Sequence, residues 1–305
     1  MNRSLGPDDR VAAVEGGGTK FVCAVLDGDL RVAERAVIPT REPEATLGAV
    51  RAWLLDRGPF RALGVGCFGP AETRAGRPDY GRLLATPKPG WAGADVLGAL
   101  SGLAPRTGFA SDVDAAALAE GRRGAGRGLD PDSGTLAYVT VGTGIGVGVA
   151  RGSSIVTGEG HFEMGHVGVP RGSHDRAGGA CPFHGDCLEG LAAGPSIAKR
   201  WGAPLSALPR DHEAHRLVAG YLAELCRILF LAHRPGRIVL GGGVMKTDGL
   251  LGTVAAETEA RLAGYLPPPE GCEGVADALV PPELGDDAGV VGAALVGLGA
   301  LGEAG

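Results

Sequence analysis

Three kinds of residue in this chain are spaced for chemistry, and the sharpest sits in a run of seven. Cys181, His184 and Cys187 make a C-x2-H-x2-C pattern within Cys181-Pro-Phe-His-Gly-Asp-Cys187. Sulfur and imidazole nitrogen are soft or borderline ligands, and three of them in one short loop suit a tetrahedral divalent ion that lacks one more donor. His166 is a candidate for that fourth place, with His161 and His174 as competitors. Two cysteines with two histidines leave no coordination position for water, so the ion is read as structural zinc.

Glycine-rich turns are the second signal. They are Gly16-Gly17-Gly18 before Thr19 and Lys20, Gly142-Thr143-Gly144-Ile145-Gly146, and Gly241-Gly242-Gly243. Residues without a side chain let backbone N–H groups converge on phosphate oxygens. None of the three has the P-loop or the G-x-G-x-x-G spacing. Each alone reads as an ordinary tight turn, whereas three together, with donors on Thr19, Lys20 and Thr143, bring nucleotide phosphates into contention.

Carboxylates are the third. Asp112, Glu163 and Glu189 could fix sugar hydroxyls by accepting their protons. Two of them have a plainer reading: Ser111 or Asp112 can cap a helix, and Glu189 can sit in a solvated first turn.

These groups need elements to hold them. Val11–Val14 and Phe21–Leu26 flank the first glycine turn as a predicted hairpin, Leu30–Val37 reads as a third strand, and Leu63–Phe68 and Phe109–Ser111 as two more. A helix is expected over Glu44–Asp56, and Gly69–Gly93 is expected to be a structured loop. Thr135–Val141 and Val147–Val149 repeat the strand–glycine–strand opening half a chain later, which points to two related α/β lobes facing a cleft. Leu217, Tyr221, Leu222, Leu225, Ile228 and Leu229 recur at helical spacing up to about His233, and Ile238–Leu240 reads as a buried strand ending at Gly241.

With 305 residues, 44% hydrophobic and 21% charged, the chain has ample core for two lobes. Its 55 glycines, about 18% against a typical ~7%, imply many tight turns. A formal charge of −6 without a Lys/Arg block argues against nucleic acid as a partner. No apolar run nears the ~20 residues of a membrane span, and Met1–Arg10 is too polar for a signal peptide, so a cytoplasmic protein without a membrane partner is expected. The six cysteines then read as thiols or metal ligands rather than disulfides.

In order along the chain, Glu15-x-Gly-Gly-Thr-Lys20, Asp112 ahead of a helix, Glu163-Met-Gly-His166, the Cys181–Cys187 loop running into Leu188-Glu189, and Leu240-Gly-Gly-Gly-Val244 resemble the ROK (repressor, open reading frame, kinase) sugar kinases. The Cys/His loop and Thr86-Pro-Lys-Pro-Gly-Trp91 are similar to that family's fructokinase branch. The resemblance implies an α/β actin-like ATPase fold of two RNase-H-like lobes. Residues 1–115 would form the N-terminal lobe, with a C-terminal helix near 286–305 a candidate to pack back on it, and 116–285 would form the zinc-bearing lobe. It implies phosphorylation of D-fructose to fructose 6-phosphate with ATP and Mg2+, Asp112 being the catalytic base. By the same resemblance, Gly17, Gly18, Thr19, Lys20, Gly142, Thr143 and Gly144 would line the phosphates, and Pro195, Gly241, Gly242, Gly243, Val244 and Met245 the adenosine. Asp112, Glu163, His166 and Glu189 would bind the sugar, and His166, Cys181, His184 and Cys187 zinc, so that His166 uses both ring nitrogens. A homodimer is implied by resemblance alone.

Two positions depart from the family pattern: Asp114 stands where asparagine is common and Phe162 where proline is usual. Other acceptors of the same family, namely glucose, mannose or an N-acetylated hexosamine, form the alternative reading. A sugar-responsive regulator or a nonenzymatic sensor is the alternative of another class. The ten residues ahead of Val11 are not expected to hold a winged-helix DNA-binding domain.

Overall fold

The computed structural model describes residue 6 and residues 9–172 and 175–299. The chain divides into two compact units. One comprises the residues up to Ala119, Ile155–His161 and those from Leu284 onward; the other comprises Glu120–Ser154 and Phe162–Glu283.

The first unit is built on a mixed five-stranded sheet. Its strands β1 (Val11–Gly16), β2 (Lys20–Leu26), β3 (Val32–Pro39), β4 (Ala62–Cys67) and β5 (Thr107–Ser111) lie in the order β3-β2-β1-β4-β5. The β1–β2 and β2–β3 pairs are antiparallel, and the β1–β4 and β4–β5 pairs are parallel. The central strands are covered on both faces, which is why β1 and β4 read as nearly unbroken apolar runs. One face sets Ala12, Val14, Phe21, Cys23, Leu63 and Val65 against helix α1 (Pro43–Leu55) and the buried Trp91. Residues of opposite parity, among them Val11, Ala13, Val22, Ala24 and Ala62, pack with Val290, Val291, Ala293 and Ala294.

The third strand starts later than its hydrophobic pattern predicts. Asp27 Oδ1 accepts from the N–H groups of Asp29 and Arg31, at 3.0 and 2.9 Å, so the turn runs on through Leu30. Leu30 takes a left-handed φ of 59° and is buried as a turn residue. The loop after β4 carries the short helix α2 (Val96–Ala99).

The second unit repeats the plan. β6 (Thr135–Val141), β7 (Ile145–Arg151), β8 (Ser154–Ile155), β9 (Arg237–Gly241) and β10 (Leu279–Val280) lie in the order β10-β9-β6-β7-β8. An antiparallel β6–β7 hairpin is again followed by parallel pairing, here β6–β9 and β9–β10. One boundary between the units falls within helix α3 (Asp112–Arg123), and another falls inside β8, whose Ile155 is assigned to the first unit. Among the described residues, the α-helices lying wholly in the second unit are α4 (Leu188–Ala192), α5 (Gly194–Trp201), α6 (Glu213–His233) and α7 (Leu250–Leu262). Leu217, Tyr221, Leu222, Leu225 and Leu229 of α6 are buried, as their periodicity predicts, Ile228 is only partly buried, and α6 ends at Arg234 in a left-handed cap before Pro235.

The last helix, α8 (Ala288–Gly299), closes the first unit by packing on β1, β4 and β5. The approach is close: a Cβ at Gly64 would lie 1.6 Å from the Ala293 carbonyl oxygen, so only glycine fits at that position. The part of the expected terminal helix beyond residue 299 lies outside the described residues. Among the described residues, no helix is long and apolar enough to cross a membrane.

Candidate active site and metal centre

In the first unit the β1–β2 hairpin carries Gly17, Gly18, Thr19 and Lys20 at its tip. Gly17 N–H donates to the Lys20 carbonyl at 2.9 Å, and Thr40 Oγ1 donates to the Gly17 carbonyl at 2.8 Å, fixing the turn while Gly18, Thr19 and Lys20 stay exposed. Asp112 is the first residue of α3, directly after β5. Ser111 does the capping, its Oγ accepting the Asp114 N–H at 3.1 Å. The half-buried Asp112 carboxylate accepts the adjacent Val113 N–H at 2.9 Å. Asp114 is buried, with 1% of its surface exposed.

Glu15, which the sequence places in a motif without giving it a task, is the strongly perturbed acid here. Burial, with the charge of Asp112 added, raises its pKa to about 7 against the opposing pull of Arg35 and Lys20. Trp91 of the Thr86–Trp91 segment is fully buried, stacked on Phe21 at 5.3 Å and donating to the Arg41 carbonyl at 2.8 Å, so its task is packing. His161 also belongs to this unit: its Nε2 accepts from Ala71 N–H at 3.1 Å.

The second unit gathers the remaining groups. Gly142 N–H donates to the Gly144 carbonyl at 2.8 Å, closing the turn of the β6–β7 hairpin, and Gly194 N–H donates to the Gly142 carbonyl at 2.8 Å. A Cβ at Gly194 would lie 3.0 Å from the Gly142 oxygen and 3.7 Å from Val244 Cγ2. The start of α5, with Pro195, therefore meets both the Gly142–Gly144 turn and the segment Gly241–Met245 that follows β9. Glu189, in the first turn of α4, accepts the Ile145 N–H on Oε2 at 2.9 Å, joining a predicted sugar ligand to a predicted phosphate turn.

Glu163 precedes a single 3-10 turn, Met164–His166. Partial burial raises the pKa of Glu163, the charge of Glu189 adds to the rise, and His166 opposes it. Glu163, His166 and Glu189 thus form one electrostatic cluster. Phe162 packs against His233 at the end of α6, with ring centroids 5.4 Å apart.

His166 faces two ways. Its Nε2 lies 3.9 Å from Glu189 Oε1, and its Nδ1 lies 3.5 Å from Cys187 Sγ and 3.7 Å from Cys181 Sγ. Cys181 Sγ is also 3.7 Å from His184 Nδ1. One ligand atom from each of His166, Cys181, His184 and Cys187 falls within 4.8 Å of all the others. Bond lengths of about 2.0–2.3 Å from a central zinc to nitrogen and sulfur give tetrahedral edges of roughly 3.3–3.8 Å, so this donor set fits the ion. Of the competing fourth ligands, His161 is engaged with Ala71 in the other unit, and His174 lies outside the described residues.

Residues 11–298 match the model of the ROK family. A fructokinase of Zymomonas mobilis is 39% identical over 297 residues, covering 94% of this chain and 96% of the relative. A fructokinase of Pediococcus pentosaceus is 37% identical, covering 95% of this chain and 98% of the relative. Among solved structures, a ROK family glucokinase from Streptomyces griseus in complex with glucose and AMPPNP superposes with a TM-score of 0.73 at 23% identity, covering 94% of this chain and 99% of that one.

Proposed function

The chain belongs to the ROK family and has the α/β actin-like ATPase fold of its sugar kinases, and from that premise we propose that it transfers the γ-phosphoryl group of ATP to the 6-hydroxyl of D-fructose. The observation that carries the reading is the convergence on Glu189. This carboxylate, 3.9 Å from the His166 imidazole, holds the backbone at the edge of the Gly142–Gly144 turn, so groups suited to sugar hydroxyls adjoin groups suited to phosphate. Fructose as the acceptor rests on the two fructokinases that match the chain nearly end to end.

Glu163, His166 and Glu189 bind and orient the sugar hydroxyls in this proposal. Asp112 accepts the proton of the 6-hydroxyl as the bond from that oxygen to phosphorus forms and the bond from phosphorus to the departing ADP oxygen breaks. Gly17 to Lys20 and Gly142 to Gly144 direct N–H, hydroxyl and ammonium donors at the polyphosphate. Gly241 to Met245 and Pro195 flank the adenosine. When bound with ATP, Mg2+ would supply neutralisation of charge on the phosphate oxygens, while positioning by these residues supplies most of the acceleration through a loose transition state. Zinc at His166, Cys181, His184 and Cys187 is structural, and its chemistry is to fix the tautomer and orientation of His166.

The test couples ADP release to a chromogenic readout with Mg-ATP and fructose, glucose, mannose or N-acetylmannosamine, using Asp112→Ala as control. Fructose-dependent turnover that falls about 10^2–10^4-fold in the variant is expected. Near-normal kcat in Asp112→Ala would remove the base from the mechanism. A higher kcat/KM on another sugar would replace the acceptor and leave phosphotransfer intact.

A further inference from the structure

Three of the four candidate metal donors sit in the segment between His166 and α4. Among the described residues this segment has no strand or helix, only the isolated bridges Gly168 to Cys187 and Cys181 to Gly185. A loop of this length needs other restraints to hold sulfur and nitrogen atoms within a few tenths of an ångström of liganding positions.

A row of four charged side chains of alternating sign supplies them. Asp186, between ligands His184 and Cys187, accepts the Gly179 N–H at 2.5 Å and pairs with Arg171 Nη1 at 2.5 Å. Arg171 grips Asp175 with Nε and Nη2, at 3.2 and 3.1 Å, and also donates to the Ala177 carbonyl. Asp175 in turn accepts from Arg200 Nη2 of α5 at 2.7 Å. The Asp175 side chain has 0% of its surface exposed, and the two arginine side chains 17% each.

The far end of the row is anchored in helices. The Arg200 guanidinium lies 4.4 Å over the Trp201 ring, and Trp201 meets His212 edge-on at 6.4 Å. His212 Nδ1 accepts from Ala214 N–H as the N-terminal cap of α6. Removing the Asp175 charge would take from Arg200 its carboxylate partner and leave Arg171 with Asp186 alone, two largely buried cations facing each other across a neutral side chain at the base of the loop.

We propose that Arg171, Asp175 and Arg200 are positioning residues for the metal centre: acting through Asp186, they hold the Cys181–Cys187 turn in liganding geometry against α5 whether or not the ion is bound. This rests on the zinc reading above. Zinc therefore enters a preorganised site and leaves it slowly.

The experiment first measures zinc in the full-length protein as purified. It then follows zinc release to a chromophoric chelator from wild type and from Asp175→Asn, at a temperature well below both melting points. About one zinc per chain, released roughly 10–100-fold faster from the variant, is expected. Equal release rates overturn the positioning role and leave the zinc site standing, whereas wild-type protein without zinc overturns both. If Asp175→Asn does not fold, Arg200→Lys carries the same comparison, because it keeps the charge and loses the planar fork; release at the wild-type rate from that variant overturns the inference.

Discussion

Glu15 stands one residue before the end of β1, under the start of the last helix, where a Cβ at Gly289 would lie 2.3 Å from its carboxyl carbon. Its pKa of about 7, against 4.5 for an ordinary glutamate, means that the folded state holds a proton that the unfolded state has already released. Stability from this group is therefore complete below pH 4.5 and is lost as pH rises through 7, by on the order of 3 kcal/mol. Glu15→Gln, which cannot ionise, is expected to match wild type in melting temperature near pH 4.5 and to exceed it at pH 8, as scanning calorimetry across that range would record. A variant that melts with wild type at both ends would show that Glu15 ionises normally. Gly144 is the other residue with a sharp expectation, since a Cβ there would lie 2.6 Å from Glu189 Oε2. Gly144→Ala is expected to displace that carboxylate from the Ile145 N–H and to cost about tenfold or more in kcat/KM with the fold retained, as steady-state kinetics beside circular dichroism would reveal.

At the scale of elements, the Met164–His166 turn, the Cys/His loop and α4 are joined through His166 and Glu189. Chelation of a bound zinc should loosen all three. A fall in melting temperature of about 5–10 °C, reversed by added zinc, is expected from differential scanning fluorimetry, together with weaker sugar binding by calorimetry. An unchanged melting temperature after complete metal removal would deny the ion its structural role. Much of this arrangement was legible beforehand because it is local: hairpins announced by apolar strands flanking glycine, α6 by its 3.6-residue period, and a cluster of Cys and His side chains by three of them within seven residues. What was not legible is long-range. Asp175 looks like any loop aspartate until Arg200, 25 residues on, is brought against it. Trp91 is only one residue of a branch-like segment in the sequence, until Phe21 and the Arg41 carbonyl enclose it. Leu30 reads as the start of a strand because its burial has the right parity, while the turn set by Asp27 decides its backbone.

Over the whole molecule, the two units share one strand plan, but their chain segments are unequally distributed. The second is nearly continuous, interrupted only by Ile155–His161, whereas the first needs residues from both ends of the sequence. A fragment ending at residue 119 would expose the sheet face that Val290, Val291, Ala293 and Ala294 cover in the full chain. That fragment is expected to lack a cooperative thermal transition and to expose apolar surface to a fluorescent dye. Sharp two-state melting of the fragment would show that α8 is dispensable for the first sheet. The position of α8 also reverses the usual order of events on the ribosome, where the amino-terminal part of a protein generally folds first. Here the first five strands emerge with much of one face uncovered, and the helix that covers it follows the second unit. At about 5–20 residues per second, the interval between residue 119 and residue 299 is on the order of 10–40 s. Throughout that interval the nascent sheet lacks the apolar cover that Val290, Val291, Ala293 and Ala294 provide, and the second unit, whose residues end at Glu283, is the first whose chain is all present.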